Sequence, residues 1–168
     1  MNKTTARIIM FLDCNFHCPY CCNNKEKFNR FFEEVSFSNI DLSLYENVCL
    51  TGGEPFLHKD ILYRMLNSIP ETKNIFIYTN GVLITDDDVE KLKRIPNVKG
   101  LNIGIHGVGQ LKEINKRVKE LPVRYMAQDV NSKSLLETYP EILNERNTKF
   151  WTMDECYVDV EDWFLLID

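Results

Sequence analysis

The chain lacks a second Cys-x-x-Cys pair, any apolar run long enough to cross a membrane, and any surplus of basic charge. Each absence removes a class. Structural zinc modules usually combine one Cys-x-x-Cys with another, so that frame is missing here. A membrane-spanning helix needs about 20 apolar residues, and Met1 to Arg7 leads into a strand without a signal-peptide core, so the expected location is cytoplasmic, with no membrane partner. Twenty basic against 25 acidic residues give a net charge of −5, which weighs against a broad nucleic-acid footprint. Repeats, linkers and low-complexity segments are also missing, so residues 1–168 read as one domain, with 129–168 as a variable C-terminal segment. An apolar content of 44% suffices for a sizeable core. In a reducing compartment the six cysteines read as ligands, catalysts or core residues rather than disulfides. Cys49, inside Val48-Cys49-Leu50, reads as core, whereas Cys22 and Cys156 have no assigned role.

What is present is a dense thiol loop. Cys14, Cys18 and Cys21 follow the apolar run Ile8-Ile9-Met10-Phe11-Leu12, which places three soft ligands at the end of a buried strand. Spacings of four and three positions let three sulfurs converge on one object, as iron–sulfur ligation requires. Only three thiols belong to this set, so one iron of a cubane would be left open to a ligand. Two other readings stand beside it at this stage. Cys18-Pro19-Tyr20-Cys21 alone is a glutaredoxin-like dithiol redox motif, although it leaves Cys14 unused and no Thr-Val-Pro turn follows downstream. Zinc, with His17 or Cys22 as fourth ligand, is the third.

The spacing of the three cysteines, with Tyr20 just before the last, resembles the cluster loop of the radical S-adenosylmethionine (SAM) superfamily. That resemblance implies a [4Fe-4S] cluster held by Cys14, Cys18 and Cys21, with SAM on the fourth iron. It also implies a full or partial (β/α) barrel with the loop after its first strand. A second motif agrees: Val48-Cys49-Leu50 delivers Thr51-Gly52-Gly53-Glu54-Pro55, similar to the family's Gly-Gly-Glu-Pro segment. The resemblance implies that Gly52, Gly53 and Glu54 recognise the SAM amino group while Pro55 shapes the loop. Paired glycines permit close backbone approach and positive φ; taken alone the segment could be an ordinary strand–helix turn. Neither the dithiol nor the zinc reading explains this motif.

The rest of the chain alternates strands and helices. Residues 23–34 read as a short helix with Phe28, Phe31 and Phe32 as its apolar stripe. Ile61, Leu62, Met65, Leu66 and Ile69 mark a helix stopped by Pro70, and Ile75 to Tyr78 a strand running into Thr79-Asn80-Gly81. By resemblance, Thr79 and Asn80 contact the cofactor; a plain Asn-Gly turn is the alternative. Thr85 reads as the N-cap of a helix opened by Asp86, Asp87 and Asp88, three acids with no catalytic role. On the strand Val98 to Gly107, Leu101, Ile103 and Ile105 face the helices, while Asn102, Gly104 and His106 face inward. Resemblance makes Asn102 and His106 candidate SAM contacts, with the glycine leaving room for the cofactor. Lys112, Lys116, Arg117 and Lys119 read as the solvated face of the next helix. Arg124, inward on strand Val123 to Ala127, would pair with the SAM carboxylate. Helical turns are expected near Pro140, then a sixth strand and a closing segment.

The expected fold is α/β, a partial (β/α) barrel of five to six units with mostly parallel strands. The resemblance implies reductive cleavage of SAM to a 5′-deoxyadenosyl radical that takes hydrogen from a small-molecule, nucleotide or peptide substrate. The other route is installing a glycyl radical on a partner protein. Both imply a flavodoxin or ferredoxin electron donor.

Overall fold

A computed structural model describes residues 4–19, 21, 32–106, 108–128, 132–151 and 161–167. In chain order the regular elements are β1 (Thr5–Ile9), β2 (Glu33–Val35), β3 (Asn47–Thr51), α1 (Lys59–Ser68), β4 (Asn74–Thr79), α2 (Asp86–Lys93), β5 (Val98–Gly104), α3 (Val108–Val118), β6 (Val123–Gln128), α4 (Ser132–Thr138), β7 (Thr148–Trp151) and β8 (Glu161–Leu166). The strands make one open, all-parallel sheet in the order β2-β8-β1-β3-β4-β5-β6-β7. The six strands β1 and β3 to β7 stand in chain order, as units of a partial (β/α) barrel do. The last strand then returns beside the first.

Parallel strands joined by helices must bury both faces, and this sheet divides them by chemistry. Ala6, Ile8, Val48, Leu50, Ile75, Ile77, Leu101, Ile103 and Tyr125 form one cluster with Leu62, Leu66, Val89, Leu92, Leu111 and Val118 of the helices. Each fully buried Leu or Ile there contributes about 1.5–3 kcal/mol. The alternate residues, among them Arg7, Cys49, Tyr78, Asn102 and Arg124, fall on the inner face by register. The inward set read from the sequence for Asn102 and Arg124 is therefore the one observed.

Two features depart from expectation. Glu33 to Val35 is an edge strand on β8 rather than the end of a helix; residues 22–31, where the rest of that helix was expected, lie outside the described residues. Its polar composition suits an edge, where charged side chains discourage further pairing. The other feature is what holds β8. The buried Arg7 guanidinium makes two bonds to Glu161, at 2.7 and 2.9 Å, and a third to the Tyr78 hydroxyl at 3.2 Å. It lies between the rings of Tyr78 and Trp163, at 4.2 and 4.7 Å from their centroids. Arg117 likewise is more than a solvated charge, because it donates to the Ile84 carbonyl at 2.9 Å.

Helix α2 starts as its sequence predicts, with Thr85 at the N-cap in a capping box with Asp88. Asp88 does more than complement the dipole. Only 1% exposed, it accepts from the Thr85 amide at 2.8 Å and from the Tyr63 hydroxyl at 2.9 Å, and it pairs with Lys59. Burial alone would raise its pKa, but the Lys59, Thr85 and Tyr63 donors outweigh burial and hold it below the usual carboxylate range. Asp88→Ala is expected to cost about 2–4 kcal/mol, read from urea unfolding, because four donor groups on Lys59, Tyr63 and Thr85 lose their acceptor. A depressed folded pKa stabilises the fold above the ordinary carboxylate value of about 3.9 and ceases to do so as pH falls through the folded value. The difference between wild type and variant should therefore hold above about pH 3.9 and shrink as pH falls through the folded value; a difference that stays constant through strong acid would contradict this account.

Candidate functional site

The thiol loop leaves the C-terminal end of β1, where a parallel sheet presents ligands, and it is bound to the loop after β3 by backbone hydrogen bonds, with His58 Nε2 also 3.1 Å from Asp13 Oδ2. The Met10 amide donates to the Thr51 carbonyl at 3.0 Å, Gly53 to Phe11 at 2.8 Å and Glu54 to Asp13 at 2.9 Å. Glycine is required for this contact. A Cβ on Gly53 would lie 1.7 Å from the Asp13 carbonyl oxygen, and one on Gly52 would lie 2.8 Å from that of Phe11. Two motifs 30 residues apart in sequence are thus one structural object, the second serving as the bed of the first.

Glu54 extends that bed. Fully buried, it accepts from the Phe56 amide at 3.0 Å, the Thr79 hydroxyl at 2.7 Å and the Asn80 amide at 2.8 Å. Burial lifts its pKa above the ordinary value, against the opposing pull of those donors. Pro55 is buried at the start of a short 3-10 turn, Pro55–Leu57. Thr79 also accepts from the Gly81 amide at 2.9 Å, with Gly81 at φ 77°. Asn80 closes the circuit: its side-chain amide donates to Asn15 in the thiol loop at 2.7 Å, and its oxygen accepts from Val82 at 3.0 Å. Glu54→Gln is expected to destabilise the protein by about 1–3 kcal/mol, because an NH₂ would face amide or hydroxyl donors. Thermal unfolding of that variant checks this; an unchanged midpoint would mean the carboxylate is dispensable to the loop junction.

Cys14, Cys18 and Cys21 are all free and partly exposed. Burial raises the pKa of Cys14 and of Cys18, and the neighbouring thiols raise both further. Cys14 sulfur accepts from the Phe16 amide at 3.3 Å, and Cys18 sulfur stands 3.4 Å from His106 Nδ1. His106 meets Phe16 edge-on at 5.6 Å, and Gly104 makes room for it, since a Cβ there would lie 2.7 Å from His106 Nε2. The glycine read as space for a cofactor is first of all space for this ring. Phe16, Asn80, Gly104, His106, Gln110 and Leu111 line a small pocket beside the loop.

The donor set fits a polynuclear cluster. A cubane takes one thiolate per iron, so its sulfurs stand at separate corners, unlike the tetrahedral convergence around zinc. Three crowded thiolates also repel one another, which a positively charged cluster would relieve.

The structure thus brings Cys14, Cys18, Cys21, Gly52, Gly53, Glu54, Pro55, Thr79, Asn80 and His106 to one end of the sheet. Asn102 and Arg124 lie deeper on the inner face, and Tyr20 lies outside the described residues. Asn15 and Phe16 were not singled out from sequence, and nothing but their place inside the thiol loop could have marked them. Among the described residues no helix is long and apolar enough to cross a membrane.

Comparison with known proteins adds independent support. The family model of the Radical SAM superfamily matches residues 8–125. GTP 3',8-cyclase of Clostridium perfringens (strain SM101) is 30% identical over 126 residues, 66% of this chain and 37% of that protein. A proposed glycyl-radical enzyme activating enzyme of Methanocaldococcus jannaschii is 33% identical over 84 residues, 47% of this chain and 35% of that protein. The 7-carboxy-7-deazaguanine synthase of Clostridium acetobutylicum is 39% identical over 80 residues, 44% of this chain and 36% of that protein. The match thus spans just over a third of each relative's length. With the thiol loop seated on its Gly-Gly bed and the superfamily model covering most of the sheet, the chain belongs to the radical SAM superfamily, whose members use a [4Fe-4S] cluster and S-adenosylmethionine.

Proposed function

We propose that this chain is a radical SAM enzyme acting on a small molecule, with nucleotides as the leading class. The observation that carries the reading is the backbone union of the thiol loop with Gly52-Gly53-Glu54, which presents three free thiols beside a pocket on the sheet's C-terminal end. Cys14, Cys18 and Cys21 would hold the cluster. When bound, the reduced cluster would supply one electron to the sulfonium of SAM, whose S–C5′ bond would break to give methionine and a 5′-deoxyadenosyl radical able to take hydrogen from the substrate. The chain's own work is positional. Gly52 and Gly53 set the depth of the thiol loop, and Glu54, Thr79 and Asn80 lock it to the end of β4. Phe16 and His106 wall the pocket, and the apolar sheet and helices behind it keep water from that side.

The nucleotide class is favoured by the relatives named GTP 3',8-cyclase and 7-carboxy-7-deazaguanine synthase. Residues 1–168 form one domain in this reading, cytoplasmic and served by flavodoxin or ferredoxin. A second reading, installation of a glycyl radical on a partner protein, is favoured by the likeness to the M. jannaschii protein. Anaerobically reconstituted protein is expected to form 5′-deoxyadenosine from SAM only with dithionite present; no formation in the presence of both a full cluster and reductant would sink the reading. A glycine-centred radical spectrum on a partner protein would select the second reading over the first.

A further inference from the structure

The inner face carries cations that the thiol-loop site does not use. Arg124 is the second residue of β6 and stands directly opposite Asn102 on β5. Lys149 on β7 stands opposite Met126, so it shares the inner face and is the diagonal neighbour of Arg124, about 7–8 Å away and within reach of two long side chains. Both are exposed, and among the described residues neither is engaged in an ion pair or hydrogen bond. That is notable in a chain with 25 acidic residues against 20 basic ones, because uncompensated like charges side by side on a sheet are unfavourable. Asn102, only 7% exposed, faces the same layer and makes no side-chain hydrogen bond among the described residues.

The two cations stand at different depths: Lys149, level with Met126 and Gly104, is at the level of Asn80, and Arg124 lies below it. Asn102 is level with Tyr78, two residues before Asn80, so Arg124 sits about 7 Å below the level at which Asn80 meets the thiol loop. A cation pair matches a group of more than one negative charge, whereas the SAM carboxylate carries one. A guanidinium offers a planar fork to phosphate oxygens, and a lysine adds a point charge.

We propose that Arg124 and Lys149, with Asn102 beside Arg124 on β5, form the subsite for a phosphate-bearing part of the substrate. The proposal rests on the enzyme reading above and deepens it: the substrate would lie on the inner face with its phosphate on β6 and β7 and its reacting carbon toward the thiol loop. Arg124 is thereby reassigned from SAM to substrate.

The test is calorimetric titration of the reconstituted full chain with inorganic pyrophosphate, alongside SAM, in wild type and in Arg124→Ala, Lys149→Ala and Lys116→Ala. Lys116 lies exposed on α3 and controls for general charge. Wild type should bind pyrophosphate at least tenfold more tightly than acetate. Arg124→Ala and Lys149→Ala should each weaken pyrophosphate binding at least tenfold and change SAM affinity less than twofold, while Lys116→Ala changes neither. The proposal is overturned if wild type does not bind pyrophosphate, if acetate binds as well, if Lys116→Ala loses as much, or if Arg124→Ala instead loses SAM binding tenfold. Failure here with 5′-deoxyadenosine formation intact would leave the enzyme reading standing. Pyrophosphate binding as expected without any cluster would preserve the anion site and defeat that reading.

Discussion

Replacing any one of Cys14, Cys18 or Cys21 by alanine is expected to reduce reductant-dependent 5′-deoxyadenosine formation by at least about 100-fold, a larger loss than outer supporting residues give. The fold should be spared. All three thiols are partly exposed in a loop rather than packed in the core, so their loss removes little buried area. The contrast with Cys49 makes the expectation specific: that thiol is buried on β3, its pKa pushed up to about 11 by burial, and it faces Arg7 across the ladder. Cys49→Ala should keep the cluster. Activity retained in Cys14→Ala would disprove the ligand assignment and return Cys18 and Cys21 to the status of a dithiol.

Gly53→Ala is expected to abolish cluster assembly with all three cysteines in place. The added methyl would overlap the Asp13 carbonyl, 1.7 Å away, and that atom belongs to backbone which cannot swing aside like a flexible side chain. Relief requires the two loops to part, which breaks the Gly53 to Phe11 and Glu54 to Asp13 bonds together. The expected cost is about 3 kcal/mol or more, seen in urea unfolding, with iron content falling toward zero. Gly109→Ala is the matched control, because nothing lies within 4 Å of a Cβ there; on a helix surface it should be neutral or stabilising by about 0.5–1 kcal/mol. If Gly53→Ala assembled a full cluster, the bed would be incidental.

Much of this was legible in local pattern. The 3.6-residue stripe of α1, the Thr85 cap, and the alternation that turns Asn102 inward follow from short-range pattern and were read correctly. The place of β8 was not legible. Arg7 and Glu161 are 154 positions apart, and no periodicity links a charged residue in the first strand to an acid in the last. β2 was misread for a related reason: Glu33, Glu34 and Val35 form a strand only because β8 offers an edge to pair with. At the site, sequence named the motifs, while their roles came from contact. The glycines admit backbone, Glu54 ties two loops together, and Gly104 admits His106. In each case the residue type was fixed by a neighbour distant in sequence.

The central claim is that the thiol loop and its glycine bed hold a [4Fe-4S] cluster. Iron and acid-labile sulfide analysis of the anaerobically reconstituted chain tests it most directly. The expected result is about four irons and four sulfides per chain, lost in Cys14→Ala. Stoichiometric zinc, or a reversible Cys18 to Cys21 disulfide with no cluster, would contradict it.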